Sequence, residues 1–415
     1  MDINLRRLVF VVGVAINLHS SAMAENWPAW RGLRGDGTTL ESGLPTKWSG
    51  TENVVWKTPI PGVGYSSPIV WGDHIFLTTA FAETKNRTLL CVDRKSGKIV
   101  WQKTVLNAPL ESKNTENSYA SSTPATDGKH VYVTFLDGNQ VAVAAYSFTG
   151  QQKWIVRPGP FDSPHGFCHS PVLFDDKVLL SCCGSKSGFI AALNCSDGNT
   201  VWKVEPKHFV QSFSNPFVAK MSGRMQLIVA ANAAITGYDP TSGADLWTVD
   251  GPSQESIATP VYGAESGLLL VDSSWPTRFL VAIKPDGSGQ STANKVIWKT
   301  KEGASYVSSP IAVGDYFMSL SFGKSKCFYC YDASTGKILW KEGTAGRHHA
   351  SPVVAGGLVY FLNDEGQMNI VRAGPTFDLV ATNELGEETY ASPAISQGQI
   401  FLRGFNNLYC IGKGR

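Results

Sequence analysis

The residues Cys330–Trp340 read Cys-Tyr-Asp-Ala-Ser-Thr-Gly-Lys-Ile-Leu-Trp, and a Ser-Pro pair follows with its proline twelve positions after Trp340. The arrangement recurs along the chain, and a short polar residue followed by proline opens each copy, at Pro68, Pro124, Pro171, Pro216, Pro260, Pro310, Pro352 and Pro393. Consecutive prolines are 41 to 56 residues apart, an interval typical of a four-stranded propeller blade. The eight copies predict an all-β protein that folds as an eight-bladed β-propeller.

Each copy has the same internal order. The proline begins a short apolar strand, where proline removes no hydrogen bond from a sheet. A tight turn rich in Gly or Asp leads to a second strand, a variable loop to a third, and a second Gly turn to a fourth strand. The fourth strand carries a tryptophan in most copies, and we predict a structural, docking role for these side chains: Trp56, Trp101, Trp154, Trp202, Trp247, Trp298 and Trp340.

The two ends of the chain are predicted to complete one blade together. The eighth copy stops after its third strand, at Leu408–Gly412. The missing strand is found near the other end, at Asn53–Lys57, where Trp56 precedes Pro68 by the same twelve positions. We therefore expect this N-terminal strand to join the last blade and close the ring, which would leave no unpaired edge.

The segments before the blades have other predicted roles. Residues 1–24 are typical of a secretory signal, with Arg6-Arg7, an apolar run and a small-residue cleavage site after Ala24. The apolar run is too short to cross a bilayer, so we expect a periplasmic or secreted protein without a membrane span. Residues 25–50 form an N-terminal extension, and residues 51–415 form the propeller.

The extension is aromatic and rich in turns. Trp27, Trp30 and Trp48 predict a segment packed across the edge or one mouth of the propeller, and the alternative is a tail that binds a partner. The formal net charge of +2 and the absence of a basic run argue against nucleic acid as a partner. We expect a monomer.

One mouth of the ring is the predicted location of any binding site. The loops that enter the first strand and those that join the second and third strands meet on one face, and they are rich in aromatic, His and cationic residues: Tyr65, Tyr119, His165, His169, Trp275, Arg278, Tyr306, Arg347, His348, His349 and Tyr390. Such a funnel suits a planar or anionic ligand. Alternatively, these side chains plug the channel and bond to one another.

Signatures of catalysis are not found in the sequence. It contains no nucleophile elbow, HExxH motif, P-loop or Rossmann glycine pattern. The histidines of the funnel do not define a set of metal ligands. We therefore assign no catalytic residue and no metal site.

Two motifs carry a resemblance to a known family. The unit Asp332-x-x-Thr335-Gly336-x-x-x-Trp340 resembles the tryptophan-docking repeat of quinoprotein (PQQ-like) eight-bladed propellers, and the opening Trp27-Pro28-x-Trp30-Arg31-Gly32 is similar to secreted PQQ-like repeat proteins. The resemblance covers nearly all of the chain after the signal. The resemblance implies the fold but leaves two functions open, because the repeat shapes the blades and does not itself bind the cofactor.

One branch of this family is non-catalytic and is similar to the outer-membrane assembly factor BamB, a scaffold that contacts partners through its loops. The other contains alcohol and sugar dehydrogenases that depend on PQQ and calcium, which implies a vicinal disulfide over the quinone; Cys182-Cys183 is the candidate. The carboxylates Asp272, Asp364, Glu365, Glu387 and Glu388 are calcium-ligand candidates by position only. We expect the first branch: a non-catalytic, protein-interaction or ligand-binding scaffold without cofactor, whose partner is a protein or cell-envelope component.

Overall fold

A computed structural model describes residues 24–205, 211–231, 233–251, 253–273, 275–287, 289–290, 295–321 and 326–412. The predicted signal segment lies, except for Ala24, outside the described residues. Within these ranges the regular structure is entirely β, in 34 strands that form eight sheets. The prediction of an all-β, eight-bladed propeller is confirmed. No helix in the described part of the chain has the length and apolar character needed to cross a membrane.

The first four blades are formed in chain order, each from four consecutive antiparallel strands. Blade 1 consists of β3 (Ile69–Trp71), β4 (His74–Phe81), β5 (Asn86–Asp93) and β6 (Ile99–Asn107). Blade 2 consists of β7 (Ala125–Thr126), β8 (His130–Asp137), β9 (Gln140–Ser147) and β10 (Gln152–Val156). Blade 3 consists of β11 (Val172–Phe174), β12 (Lys177–Cys183), β13 (Gly188–Asn194) and β14 (Thr200–Val204). Blade 4 consists of β15 (Phe217–Met221), β16 (Arg224–Ala231), β17 (Ala234–Tyr238) and β18 (Asp245–Asp250).

The remaining blades follow the same order. Blade 5 consists of β19 (Val261–Gly263), β20 (Leu268–Ser273), β21 (Phe279–Ile283) and β23 (Val296–Thr300). Blade 6 consists of β24 (Ile311–Val313), β25 (Tyr316–Leu320), β26 (Cys327–Asp332) and β27 (Ile338–Gly343). Blade 7 consists of β28 (Val353–Ala355), β29 (Leu358–Leu362), β30 (Gln367–Arg372) and β31 (Leu379–Glu384). Blade 8 contains β32 (Ala394–Ser396), β33 (Gln399–Arg403) and β34 (Asn407–Ile411).

The fourth strand of blade 8 comes from the N-terminal part of the chain. It is β2, which spans Val54–Pro59 and pairs antiparallel with β34, with Trp56 opposite Cys410 and Thr58 opposite Leu408. The outer strand of the last blade thus comes from the region that the tryptophan spacing indicated. It ends at Pro59, two residues beyond the predicted end at Lys57.

Two short strands add parallel edges that the repeat did not predict. β1 (Thr38–Thr39) pairs with β28 on the inner edge of blade 7, and β22 (Gly289–Gln290) pairs with β18 on the outer edge of blade 4. Both lie in stretches outside the repeated pattern, so the periodicity contains no signal for them.

Most of the repeated tryptophans connect neighbouring blades. Six of the seven donate an indole N–H to a backbone carbonyl of the next blade: Trp56 to Arg94 (2.8 Å), Trp101 to Phe148 (2.8 Å), Trp154 to Cys195 (3.0 Å), Trp202 to Pro240 (3.1 Å), Trp298 to Ala333 (2.9 Å) and Trp340 to Gly374 (3.0 Å). These contacts repeat one geometry around the ring and support a structural role for each of the six side chains.

Trp247 differs from the others because a glutamine lies between it and the next blade. Its indole N–H donates to Gln226 Oε1 (2.6 Å), and Gln226 Nε2 donates in turn to the carbonyl of Pro285 (2.8 Å). Gln226 is fully buried, so its amide replaces the direct indole-to-carbonyl bond found at the other blade junctions.

Candidate functional site

The central channel contains a cavity of about 210 Å³. Its wall includes the residue that precedes each inner-strand proline in seven of the eight blades. The backbone N–H of such a residue donates to the side-chain oxygen of its counterpart in the next blade: Ser67 to Thr123 (2.9 Å), Thr123 to Ser170 (3.0 Å), Ser170 to Asn215 (2.8 Å), Thr259 to Ser309 (2.9 Å), Ser309 to Ser351 (2.9 Å), Ser351 to Ser392 (2.8 Å) and Ser392 to Ser67 (3.0 Å). We call this set, which consists of Ser and Thr hydroxyls and the amide oxygen of Asn215, the hydroxyl ring. It satisfies buried backbone donors and explains why the residue before proline carries a short side-chain oxygen.

The N-terminal extension closes the lower end of this channel, the end at which the first and second strands of each blade turn. Trp30 lines the cavity and donates its indole N–H to Thr259 Oγ1 of the hydroxyl ring at 3.1 Å. The segment around it bonds to the inner strands on both sides of the ring. Trp27 exchanges two backbone bonds with Val70, at 2.9 and 2.8 Å, and the N–H of Val354 donates to the carbonyl of Gly37.

A buried arginine holds the extension in place. Arg31 Nη2 donates to the carbonyls of Asp36 (2.6 Å) and Pro310 (2.8 Å), and burial lowers the pKa of its guanidinium to about 10. Arg31 has a φ of 61°, and the next residue, Gly32, has a φ of 81° and packs against the Trp27 ring, where a Cβ atom would approach within 2.9 Å. The opening Trp-Pro-x-Trp-Arg-Gly motif thus shapes the floor of the cavity.

A long loop crosses the upper mouth. We call residues 108–122, which lie between β6 and the start of blade 2, the strap. Asn114 N–H and Asn117 Nδ2 both donate to the carbonyl of His165, at 3.1 and 2.9 Å. Glu116 reaches the opposite side of the ring, where its carboxylate lies 2.6 Å from Arg347 Nη1 and 3.4 Å from His349 Nε2.

His349 connects the strap to blade 7. Its backbone N–H donates to Asp364 Oδ1 (2.8 Å), its Nδ1 lies 2.9 Å from Asp364 Oδ2, and its ring stacks on Tyr390 with centroids 4.1 Å apart. Arg347 Nε lies 3.6 Å from the same carboxylate, and the hydrogen bond to Glu116 is the main cause of its raised pKa. One imidazole and one guanidinium are therefore held between two carboxylates.

Five of the eleven residues predicted for the funnel line the cavity: Tyr65, His165, Tyr306, His349 and Tyr390. Sequence reasoning missed Trp30, Glu116 and Glu255, which also line it. A signal for Glu116 was present, because the interval between the first two prolines is the longest of the set and leaves room for the strap.

Two predicted funnel histidines are buried in the packing instead. His169 lies among Phe161, Phe167 and Phe213, and its two ring nitrogens have no hydrogen-bond partner within the described ranges. Burial lowers its pKa to about 3. His348 packs against Phe328, and burial lowers its pKa to about 4. Both are neutral core side chains, because each points away from the channel axis into apolar packing.

The four remaining predicted residues lie around the cavity without lining it. Trp275 and Arg278 lie on a separate depression of the upper face together with Lys301 and Tyr329. Tyr119 packs beneath Arg87 and Lys113, whose cationic groups lie 5.5 and 5.3 Å from its ring centroid. Arg347 is engaged with the two carboxylates described above.

The charge lining the cavity is the reverse of that expected. A planar or anionic ligand was predicted from the aromatic and cationic residues of the upper loops, but none of the described lining residues is Lys or Arg, and two are Glu. Some cations of the upper loops serve the framework. Arg403, for example, is buried and donates to the carbonyls of Ser66 (3.0 Å) and Thr78 (2.8 Å).

The predicted Cys182-Cys183 disulfide does not fit the structure. Both residues belong to β12 and pair in regular register, Cys182 with Phe189 and Cys183 with Gly188. Successive side chains of a strand point to opposite faces, so Cys182 packs between blades 2 and 3 and Cys183 between blades 3 and 4. Both are buried, and burial raises the pKa of the Cys182 thiol well above its usual value.

The residues of the cavity also do not fit PQQ with calcium. A planar tricarboxylate requires cationic partners, whereas Glu116 and Glu255 face this cavity. Three of the five candidate calcium ligands have other partners: Asp364 bonds to His349, Glu387 accepts from Asn407 N–H (3.0 Å), and Asp272 accepts from Ser305 N–H (2.7 Å). In the described part of the chain no three His, Cys, Asp or Glu side chains are grouped to share a metal ion.

Eight blades, interblade tryptophans and a narrow axial cavity define a propeller of the PQQ-like repeat class. The family model described as Outer membrane protein assembly factor BamB matches residues 49–205, 141–287 and 290–373, and the chain belongs to this family. The family resemblance stated from the repeat motif is confirmed.

The relatives are distant in sequence. The Outer membrane protein assembly factor BamB of Shewanella oneidensis is 22% identical over 230 residues, 54% of this chain and 55% of the relative. The chain spans about half the length of the curated relatives it matches.

Solved structures show the same fold. BamB from Moraxella catarrhalis aligns with a TM-score of 0.60 at 15% identity, covering 86% of this chain and 99% of that one. A europium-containing methanol dehydrogenase aligns with a TM-score of 0.55 at 13% identity, covering 92% of this chain and 90% of the other. Identities this low carry no information about activity.

Proposed function

We propose that this chain is a non-catalytic, extracytoplasmic propeller that acts as a BamB-like scaffold and binds a protein partner of the cell envelope through its upper loops. The observation that carries the proposal is that the chain's own residues hold both ends of the axial channel, with Trp30 below and the strap above. The upper loops outside the channel remain as the accessible surface for a partner.

Membership of the BamB family supports this role, because the curated relatives are named as outer membrane protein assembly factors. A periplasmic location belongs to the same proposal and rests on the predicted signal segment. The competing proposal is a PQQ- and calcium-dependent dehydrogenase. The fold is compatible with this activity, but the residues that line the cavity do not fit the cofactor.

The depression at Trp275 is the part of the upper face best suited to a protein partner. Trp275 is 54% exposed, and Arg278 and Lys301 border the same depression. Trp and Arg are the residues most often found as energetic centres of protein interfaces, where a flat ring and a planar cation bury area at small entropic cost. We therefore place the partner contact at the loop that joins β20 and β21.

Site-specific photocrosslinking in the native host tests this placement. A photoreactive amino acid at Thr277, beside Trp275, should capture one discrete envelope protein, whereas the same amino acid at Val201, an exposed residue of the outer strand of blade 3, should not. Trp275→Ala should reduce the crosslink at least tenfold, and Val100→Ala, at the rim of blade 1, should leave it unchanged. Equal capture from both positions, or a crosslink insensitive to Trp275→Ala, would contradict the proposal.

A further inference from the structure

The axial cavity combines aromatic rings with carboxylates in a confined space. Four loops that enter the blades direct rings toward the axis from different sides, at Tyr65, Phe213, Tyr306 and Tyr390, and Trp30 forms the floor. All five side chains line one volume of about 210 Å³. A volume of this size accommodates a small molecule.

The charges at the wall select the sign of that molecule. Glu116 and Glu255 both line the cavity, and none of the described lining residues is Lys or Arg. Glu255 accepts a hydrogen bond from Gln211 Nε2 at 2.7 Å. Glu116 is shared with Arg347 and His349, but the adjacent carboxylate of Asp364 contacts the same two side chains, so two carboxylates face one guanidinium and one imidazole at this point.

Cations are attracted both to aromatic faces and to carboxylates. The negative face of an aromatic ring attracts a cation, most strongly when the cation is desolvated. The hydroxyl ring adds side-chain oxygens beneath these rings. An anion or a neutral solute gains neither the attraction to the aromatic faces nor the attraction to the carboxylates, and the carboxylates repel an anion. The wall of the cavity therefore discriminates between solutes by their charge.

We propose that the axial cavity binds a small organic cation, of the quaternary ammonium or alkylammonium class, between the aromatic rings and the carboxylates of Glu116 and Glu255. The cation occupies the cavity beneath the strap, and Trp30 contacts it from below. Trp275 does not line this cavity, although its backbone pairs with that of Glu255, and the partner contact is proposed at its exposed side chain. Failure of cation binding would therefore leave the proposed scaffold function in place.

The test compares two probes of nearly identical shape. Choline and its uncharged carbon analogue 3,3-dimethylbutan-1-ol are titrated into the purified protein by isothermal calorimetry, with benzoate as an anionic probe. We expect choline to bind with a Kd below about 1 mM, at least tenfold tighter than the alcohol, and benzoate to show no binding. Choline binding no tighter than the alcohol, or benzoate binding more tightly, would overturn the proposal, as would the absence of any choline binding.

Variants locate the binding in the cavity. Glu255→Gln and Glu116→Gln preserve shape and remove charge, and each should weaken choline at least fivefold without altering the weak affinity for the alcohol. Glu342→Gln, an exposed carboxylate of blade 6, is the matched control and should leave both affinities unchanged. Thermal unfolding of each variant shows whether it is folded. A choline affinity that is unchanged in both folded cavity variants would refute the assignment.

Discussion

Glu116 and Arg347 lie 231 positions apart in the chain, and their side chains pair at 2.6 Å across the mouth of the axial cavity. The pair ties the strap, which enters blade 2, to the loop that enters blade 7. Because both side chains are partly exposed, at 31% and 42%, the contact contributes little to global stability, about 0.2 to 1 kcal/mol. Its effect is on the position of the strap.

We expect Glu116→Ala to loosen the strap locally. Removing the carboxylate breaks the contacts to Arg347 and His349 while leaving the blades intact, so amide hydrogen exchange should accelerate in residues 108–122. The melting temperature should change by less than about 3 °C. Hydrogen-exchange mass spectrometry measures this directly, with Glu83→Ala in the neighbouring exposed loop as the control. Unchanged exchange in the strap would show that other contacts hold it.

A second prediction concerns a glycine that packs on the docking tryptophan Trp298. Gly336 has a φ of 72°, and a Cβ atom there would lie 2.5 Å from the Trp298 ring. Gly398 has a similar φ of 75° but has open space around it. Both Gly→Ala variants carry the strain of a positive φ, so the difference between them isolates the tryptophan contact.

Gly336→Ala should destabilise the protein more than Gly398→Ala, by about 1 to 3 kcal/mol, because the added methyl group must displace a packed indole. Urea denaturation of the two variants measures the difference in the free energy of unfolding. Equal destabilisation would mean that the indole moves aside at no cost.

The third prediction concerns the junction between blades 4 and 5. Gln226 connects Trp247 to the carbonyl of Pro285, and Gln226→Leu would leave the indole N–H without its acceptor. We expect a loss of about 2 to 4 kcal/mol, since a buried group without a partner costs its desolvation energy. In a double-mutant cycle with Trp247→Phe, the two losses should be coupled by about 1 kcal/mol or more. Strict additivity would contradict the bridging role.

A pH dependence follows from the two buried histidines. An unfolded histidine titrates near pH 6.5, whereas burial lowers the pKa of native His169 to about 3 and that of His348 to about 4. Below pH 6.5 the unfolded chain binds protons that the native chain does not, so stability falls as the pH decreases toward 4. Each histidine contributes a slope of about 1.4 kcal/mol per pH unit in this range.

Urea denaturation between pH 4.5 and 6.5 tests this slope. His169→Phe replaces the imidazole with a ring like its three phenylalanine neighbours and should reduce the slope by about 1.4 kcal/mol per pH unit, the contribution of one proton. A slope unchanged in His169→Phe would show that His169 titrates normally in the native state.

The fold could be predicted because its signal is local and repeated. Each proline, turn glycine and strand tryptophan acts within its own blade or on the next, so spacing alone indicates the architecture. The strands β1 and β22 escaped prediction because they belong to segments outside the repeat, and nothing in their two-residue sequences distinguishes them from a loop.

The site could be predicted only in part. The loop residues before each proline were expected at one mouth, but the expectation did not distinguish between positions within a loop. Tyr65, three positions before its proline, lines the cavity, whereas His169, two positions before its proline, is buried in the packing. Glu116 depends on a contact made across the ring, which no local pattern encodes.

The adjacent Cys182 and Cys183 show what strand geometry adds to a sequence motif. Successive residues of β12 point to opposite faces, so the two thiols lie in different interblade clusters.

The non-catalytic character of the propeller is the central claim, and one measurement tests it most directly. The mature protein is incubated with PQQ and calcium, passed through gel filtration, and then offered alcohols and sugars with an artificial electron acceptor. We predict that quinone absorbance separates from the protein and that no dye is reduced. Quinone that travels with the protein, together with substrate-dependent dye reduction, would contradict the claim and identify the chain as a quinoprotein dehydrogenase.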